Sequence, residues 1–491
     1  MENIQEKIYK NRMLILLNVV LMTFMACLDG SIVNVALSDM SKKLSVSTGA
    51  ITWVVTAYLA VIAATILIFG RLGDMLGKTR IFKWGIIGFT AGSLMCGLAD
   101  SFMFLVAARI VQGIGAAAFM ATNQGIITHV FPANERGRAL GISGTFVALG
   151  TMVGPPLGGF IVDSFSWKYI FLINLPIGIF TYIFGMKVLP VSAKNSSEKI
   201  DVKGAVFFSM SILSLFVSIS LGQEIGYGKP AILSGFVIAL ITFVIFIKVE
   251  RKIEAPLLEL NLFKNTLFTL SIFCGFISFL AISCSNIIQP FYLQDAMKYS
   301  SSATGLIMVS SPLLLAIVAP LSGHMSDKIG SESLTFAGLL LTSLGLFLMA
   351  MLNLHTSLVV LIIFIAVMAI GNGMFQSPNT SLIMSTVPRN RLGIAGSINA
   401  LVRNLGMVTG ISLSTTLLYN RMSSKLGKRV ADYVRGRDDI FIYGMRWVYI
   451  SAAVICLIGA LLTAVRLYGK NARIRDAVEK RRLDEEIIEN D

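Results

Sequence analysis

Hydrophobic residues run along this chain in long blocks rather than in the short, half-buried patterns of a water-soluble fold. The first block, Met13 to Leu28, holds no charged side chain at all. A helix that crosses a bilayer needs about 20 such residues, at a rise of about 1.5 Å each. Cutting at polar residues and Gly/Pro breaks gives spans at 13–37, 51–70, 81–99, 101–131, 139–163, 168–189, 204–222, 231–249, 267–291, 304–325, 334–353, 357–385, 393–418 and 447–467. The pattern therefore predicts an all-α polytopic membrane protein with fourteen transmembrane helices. An even number of crossings puts both termini on one side.

Composition agrees. The chain is 55% hydrophobic and 14% charged, where soluble domains carry about 25% charged residues. Mean hydropathy is +0.77. The net charge of +14 raises nucleic acid as a partner, but the location of the charge argues against it. With a cytoplasmic N-terminus, most Lys and Arg fall in the inner loops and the tail, as the positive-inside rule requires. One basic outer loop, 419–446, runs against that trend. The expected setting is thus the lipid bilayer of the cell membrane, with both termini cytoplasmic and no nucleic acid. The first block is too long for the core of a signal peptide and is expected to be a retained helix. For the charged tail, 468–491, an amphipathic helix on the inner leaflet and a disordered segment both remain open.

The sequence also repeats itself. "GRLGDMLGK" follows the second span and "GHMSDKIGS" the tenth, giving Gly70, Asp74, Gly77 and then Gly323, Asp327, Gly330 at the same spacing. Gly113, Gly115, Pro132 and Asn134 are echoed in order by Gly371, Gly373, Pro388 and Asn390. Two echoes at nearly one offset predict a duplicated six-helix bundle. The expected units are 1–190, an inserted helix pair with its loops at 191–266, a second bundle at 267–467, and the tail. Duplicated bundles with a binding site between them are a transporter architecture.

Candidate chemistry is sparse. The five cysteines sit in apolar blocks without pairing motifs, and the three histidines lie far apart. No metal or other cofactor is expected. "GDMLGKT" resembles a phosphate loop but has one residue too few between its glycines and no strand before it, so nucleotide is not an expected partner. An enzyme would need clustered acids or histidines within the membrane. Only Asp29 is an acid deep in any span.

These residues resemble the major facilitator superfamily, specifically its fourteen-helix drug:proton antiporter branch. "LDGSIVNVAL" (28–37), "GRLGDMLGKTR" (70–80), "RIVQGIGAA" (109–117), "GTMVGPPLGG" (150–159), "WKYIFLINLPIG" (167–178) and "APLLELNLF" (255–263) carry the resemblance. The second-half loop departs from it in His324. The resemblance implies two bundles related by a pseudo-two-fold axis, with helices one and four lining one cavity. It implies a proton-coupled exporter of hydrophobic, cationic drugs, working as a monomer. A dedicated exporter of a single metabolite or lipid-like molecule fits the same scaffold.

Asp29 lies eight residues from the outer end of its span (29 to 37) and Arg109 eight from the outer start of its own (101 to 109), about 12 Å in each case. Gln112 shares a helix face with Arg109. The expectation is that Asp29, Arg109 and Gln112 meet and that proton and substrate compete for the carboxylate. Backbone or water as the only partners of Asp29 is the alternative. Asn34, Asn123, Gln124, Asn286, Gln289, Asn372, Gln376 and Asn379 are cavity-lining candidates. Arg403 lines the cavity or serves structure alone. Gly70, Arg71, Asp74, Gly77, Lys78, Arg80, Arg136 and Asp327 form an expected latch between the halves. In the fifth span, Gly150, Gly154, Pro155, Pro156, Gly158 and Gly159 predict either a bend that seals one access state or a face for close packing.

Overall fold

The computed structural model describes residues 9–132, 135–190, 201–253, 256–387, 392–430, 432–434 and 436–489. Among them a helix occupies each of the fourteen expected places. They are α1 (Arg12–Lys43), α2 (Thr48–Leu76), α3 (Lys78–Gly97), α4 (Phe102–Val130), α5 (Arg136–Ser164), α6 (Tyr169–Val188), α7 (Val202–Ile225) and α8 (Pro230–Glu250). The remainder are α9 (Thr266–Phe291), α10 (Ser301–Met308, continuing as Ser310–Ile329), α11 (Ser331–Met349), α12 (Leu358–Ser385), α13 (Leu392–Leu426) and α14 (Asp438–Glu489). Among the described residues, twelve helices are long and apolar enough to cross a membrane on those criteria alone. The other two, α3 and α13, carry more polar residues. Several helices run past their expected ends, α13 and α14 most of all. The apolar runs end at polar residues, but a helix continues through them, because its hydrogen bonds are made within the backbone whatever side chains it bears.

The packing shows the duplication. In the first half α1 pairs with α5 and α6, α4 with α2 and α3, and α3 with α6. In the second half α9 pairs with α13 and α14, α12 with α10 and α11, and α11 with α14. These are the same pairings, eight helices later. The remaining pair, α7 and α8, packs on itself, and α7 also lies against α2 and α13.

The repeated loop motif has a structural reason. Gly77 ends α2 with φ +99° and Gly330 ends α10 with φ +89°. At both places the next helix starts at once. Positive φ is costly for any residue with a Cβ, so glycine holds the same position in both copies.

At the end of the bundle away from the termini, several contacts join the halves. Lys42 pairs with Asp295 at 2.9 Å, and Ser38 donates to the same carboxylate. Gln294 donates to the Val35 carbonyl at 2.9 Å, and the Ser302 amide donates to Asp163 at 2.8 Å. The Thr48 amide donates to Asp432 at 3.0 Å, in the basic loop. Tyr433 of that loop donates to the Asp295 carbonyl at 3.0 Å and bonds to Asp438. Burial first, then the Asp438 and Asp295 carboxylates, push the Tyr433 phenol up from its ordinary pKa, so it stays a donor. The two halves are therefore tied together at this end.

Candidate functional site: a buried ion pair beside the central interface

Four helices of the first half bring polar side chains to one point. α1 contributes Asp29, α4 contributes Arg109 and Gln112, α3 contributes Ser93, and α6 contributes Asn174. Arg109 Nη1 donates to Asp29 Oδ2 at 2.6 Å, and both side chains are 0% exposed. Gln112 donates to Asp29 Oδ1 at 2.9 Å, and Asn174 donates to the same oxygen at 3.0 Å. Ser93 accepts from Gln112 at 2.8 Å and from Asn174 at 3.3 Å. Both carboxylate oxygens are thus engaged, and Asp29 is not restricted to backbone or water.

Arg109 is held from all sides. Its Nε donates to the Val54 carbonyl at 2.8 Å and its Nη1 to Gln112 Oε1 at 2.5 Å. The Tyr58 ring lies 4.1 Å and the Phe171 ring 5.5 Å from the guanidinium carbon. A cation against an aromatic face is stabilised by the ring quadrupole, most strongly where water is excluded. Among the described residues, Arg109 Nη2, Tyr58 Oη and Asn174 Oδ1 are buried without a hydrogen-bond partner. The cluster is therefore polar and incompletely satisfied, a state that costs free energy.

Small residues let this cluster form. A Cβ on Gly92 of α3 would stand 2.5 Å from the Gln112 backbone, and one on Gly113 2.9 Å from the Tyr58 carbonyl. α6 restarts at Asn174 after a short first turn, Tyr169–Leu172. Pro176 follows in the restarted first turn, where a missing N–H costs nothing.

The sequence alone pointed to Asp29, Arg109 and Gln112 but passed over Asn174, Ser93, Tyr58 and Phe171. Asn174 carried a usable signal: an amide side chain inside an apolar block, two residues before a proline. Ser93, Tyr58 and Phe171 carried none, since such residues are common in helices that only pack.

A narrow cavity lies beside the cluster, between the halves. Gly30, Asn34, Val55, Tyr58 and Leu59 line it from the first half, and Ser283, Asn286, Ile287, Met407 and Ile411 from the second. Tyr58 faces both the cavity and Arg109. Of the other polar candidates, Asn123 bonds to Thr23 of α1, and Gln124 reaches Gly396 of α13, where a Cβ would stand 2.1 Å from Gln124 Oε1. Asn372 accepts from Ser278 at 3.3 Å, and Asn379 donates to the Ser271 carbonyl at 3.1 Å. These two join α12 to α9 inside the second half. Gln289 is buried and bonds to Ser285 of its own helix at 2.7 Å. Gln376 and Arg403 are half-buried.

The fifth helix packs closely. α5 runs unbroken through Pro155 and Pro156. A Cβ on Gly154 would stand 1.8 Å from Ser31 Oγ, one on Gly150 2.6 Å from the Phe24 carbonyl, and one on Gly158 2.7 Å from Ile32. These glycines seat α5 on α1, the helix that bears Asp29. Gly159 faces the Ser301 carbonyl of α10 at 2.3 Å on the same measure, across the two halves. Of the expected latch, Asp74 pairs with Lys78 at 3.2 Å within its own turn, with both side chains about two-fifths exposed. Arg80 is exposed, and Gly70 and Arg71 are half-buried. The side chains of Arg136 and Asp327 lie outside the described residues, as do Asn134, Pro388 and Asn390.

Residues 19–256 and 271–489 match the Major Facilitator Superfamily. The chain is 34% identical over 460 residues to the riboflavin transporter RibZ of Clostridioides difficile, covering 92% of this chain and 97% of that protein. It is 32% identical over 404 residues to the multidrug resistance protein Stp of Mycobacterium tuberculosis, covering 82% and 75%. Among solved structures, a bacterial homologue of the human lysosomal transporter Spinster, in an inward-facing and occupied conformation, superposes with a TM-score of 0.64 at 17% identity. That match covers 92% of this chain and 96% of the other.

Proposed function

This chain belongs to the Major Facilitator Superfamily, so it is a multi-pass membrane transporter of small substrates and not an enzyme; from that premise we propose that it is a proton-coupled antiporter of the fourteen-helix branch, exporting small hydrophobic compounds by alternating access. The observation that carries the proposal is the sealed Asp29–Arg109–Gln112–Asn174 cluster, next to a cavity between the halves. A carboxylate in an apolar setting favours its proton, and a contacting arginine favours the ionised form. Small movements of α1 against α4 therefore decide whether a proton is held. The α1–α5 seam of glycines ties that movement to the contact between α5 and α10. Asp29 is shut in by three side chains, so its part in this scheme is to carry the proton; the expected role of holding a cationic drug requires Arg109 to leave first.

The working units in this scheme are 1–190 and 267–467, with the pair α7–α8 inserted between them and the tail at 468–491. Both termini face the cytoplasm, the end where the halves are tied faces outward, and the protein works as a monomer in the cell membrane. The Gly70–Arg80 turn and its copy at Gly323–Gly330 serve as the latch on the inner side. A dedicated exporter of one metabolite is the second reading, favoured by the similarity to a riboflavin transporter over nearly the whole chain.

Everted membrane vesicles carrying the protein test this. A panel of lipophilic cations, neutral aromatics and metabolites, riboflavin included, is added to vesicles holding an acid-inside gradient. Dissipation by several unrelated compounds supports the multidrug reading, and dissipation by one compound supports the dedicated one. No dissipation by any compound that is itself transported overturns proton coupling.

A further inference from the structure

Among the described residues, one arginine lies just beyond the cavity without an acidic partner. Arg403, Met407 and Ile411 follow one another at four-residue steps on α13, so they share one stripe of that helix. Met407 and Ile411 line the central cavity. On α1, Cys27, Gly30 and Asn34 share a stripe in the same way, and Gly30 and Asn34 line the opposite wall. Arg403 and Cys27 therefore lie about one turn from the cavity towards the termini, on facing helices. α13 packs against α2 and α4 of the first half, which places this stripe at the seam between the halves. Arg403 lies about 16 Å along α13 from Leu392, at 1.5 Å per residue.

Arg403 is half-buried. Among the described residues it forms no ion pair or hydrogen bond. Asp29, the acid on the facing helix, is spoken for: Arg109 takes one oxygen and Gln112 with Asn174 the other. The Asp29–Arg109 pair cancels its own charge and is sealed. The cavity wall itself is apolar (Val55, Leu59, Ile287) or neutral and polar (Asn34, Ser283, Asn286). An arginine within the membrane is costly unless a negative group meets it. A guanidinium presents a planar fork that fits a carboxylate or phosphate in two parallel hydrogen bonds.

We infer that the transported substrate class is amphipathic anions: small molecules with an apolar body and one carboxylate or phosphate, which meets Arg403 at the seam. The inference rests on the antiporter reading above and deepens it. The two charged sites then divide the work. Asp29 with Arg109 handles the proton, and Arg403 handles the substrate's charge. The apolar body lies against Met407, Ile411, Val55 and Leu59, and Asn34 and Asn286 supply neutral hydrogen bonds.

The test uses the purified full chain and three aryl probes of one size: a carboxylate, its methyl ester and a methylammonium. Binding is measured by isothermal titration, and transport by flux in proteoliposomes with an internal pH dye. The expected result is a preference of the unmodified protein for the carboxylate over both other probes, on the order of tenfold or more. Arg403→Gln is expected to bring the carboxylate-to-ester ratio to within about twofold of one, and Arg403→Lys, which keeps the charge without the planar fork, to keep only part of the preference. A preference for the ammonium or the ester, or an unchanged ratio in Arg403→Gln, overturns the inference. Should Arg403→Gln fail to fold, the preference of the unmodified protein decides. Failure of the two readings is distinguishable. Proton movement with the ammonium alone leaves antiport standing and removes anion selection. Carboxylate flux with no proton movement does the reverse.

Discussion

Arg109 donates to Asp29 across 2.6 Å, with neither side chain exposed. The two residues are 80 positions apart and meet because α1 and α4 of one half-bundle pack together. Breaking one partner of such a pair leaves a buried charge uncompensated, at about 3–5 kcal/mol. Asp29→Ala and Arg109→Ala are each expected to lower stability by about that much. The double variant Asp29→Asn/Arg109→Gln, which removes both charges, is expected to regain most of the loss without regaining proton coupling. Thermal unfolding of the four purified proteins in detergent checks this. A double variant no more stable than either single variant would show that the two groups do not act as a pair.

The α1–α5 seam gives a second expectation. Gly154 leaves no room for a side chain, since a Cβ would stand 1.8 Å from Ser31 Oγ. Gly154→Val is expected to cost about 1–3 kcal/mol by overpacking and to reduce transport at least several-fold in protein that still reaches the membrane. Ser31→Gly in the same chain is expected to restore part of the transport. Flux per unit of membrane-inserted protein is the measure.

At the far end of the bundle, Asp295 accepts from Ser38 and pairs with Lys42. Lys42 is more than half exposed, so its pair with Asp295 contributes little to overall stability, within about 1 kcal/mol. A shift of about 1 kcal/mol nevertheless changes a two-state population roughly five-fold. Asp295→Asn is expected to leave the melting temperature almost unchanged and to raise the time spent open at this end. Labelling of Asn34→Cys by an impermeant maleimide from that side, in a Cys27→Ser background, should quicken several-fold. An unchanged labelling rate counts against a gating role for this contact.

Gly77 and Gly330 hold their backbones at φ +99° and +89°. Replacement of either by alanine is expected to cost about 1–3 kcal/mol, because a side chain is strained there. Similar losses at the two positions follow from the duplication. A large loss at one and none at the other would mean that the two turns are not equivalent. Melting temperatures of Gly77→Ala and Gly330→Ala decide.

Much of this was legible in the sequence, for physical reasons. A bilayer allows helices and little else for a chain this apolar, so runs of hydrophobic residues located each helix. Helix ends were less legible, because the charged ends of α1 and α13 continue the same backbone bonds. Asp29 and Arg109 stood out because charge is rare at such depth, and counting turns put them level. Asn174 and Tyr58 did not stand out: nothing in a single sequence says which face of α2 or α6 turns towards Asp29. Arg403 stood out as a charge, but its place on the cavity stripe needed Met407 and Ile411 to be seen lining the wall.

The central claim is that Asp29 carries the coupled proton. The direct measurement is proton flux, read with an internal pH dye, in proteoliposomes holding either the unmodified protein or Asp29→Asn. Each is supplied with a compound that the unmodified protein transports. The account predicts substrate-driven proton movement with the unmodified protein and none with Asp29→Asn, although the variant still folds and binds the compound. Proton movement at an undiminished rate in Asp29→Asn would contradict it.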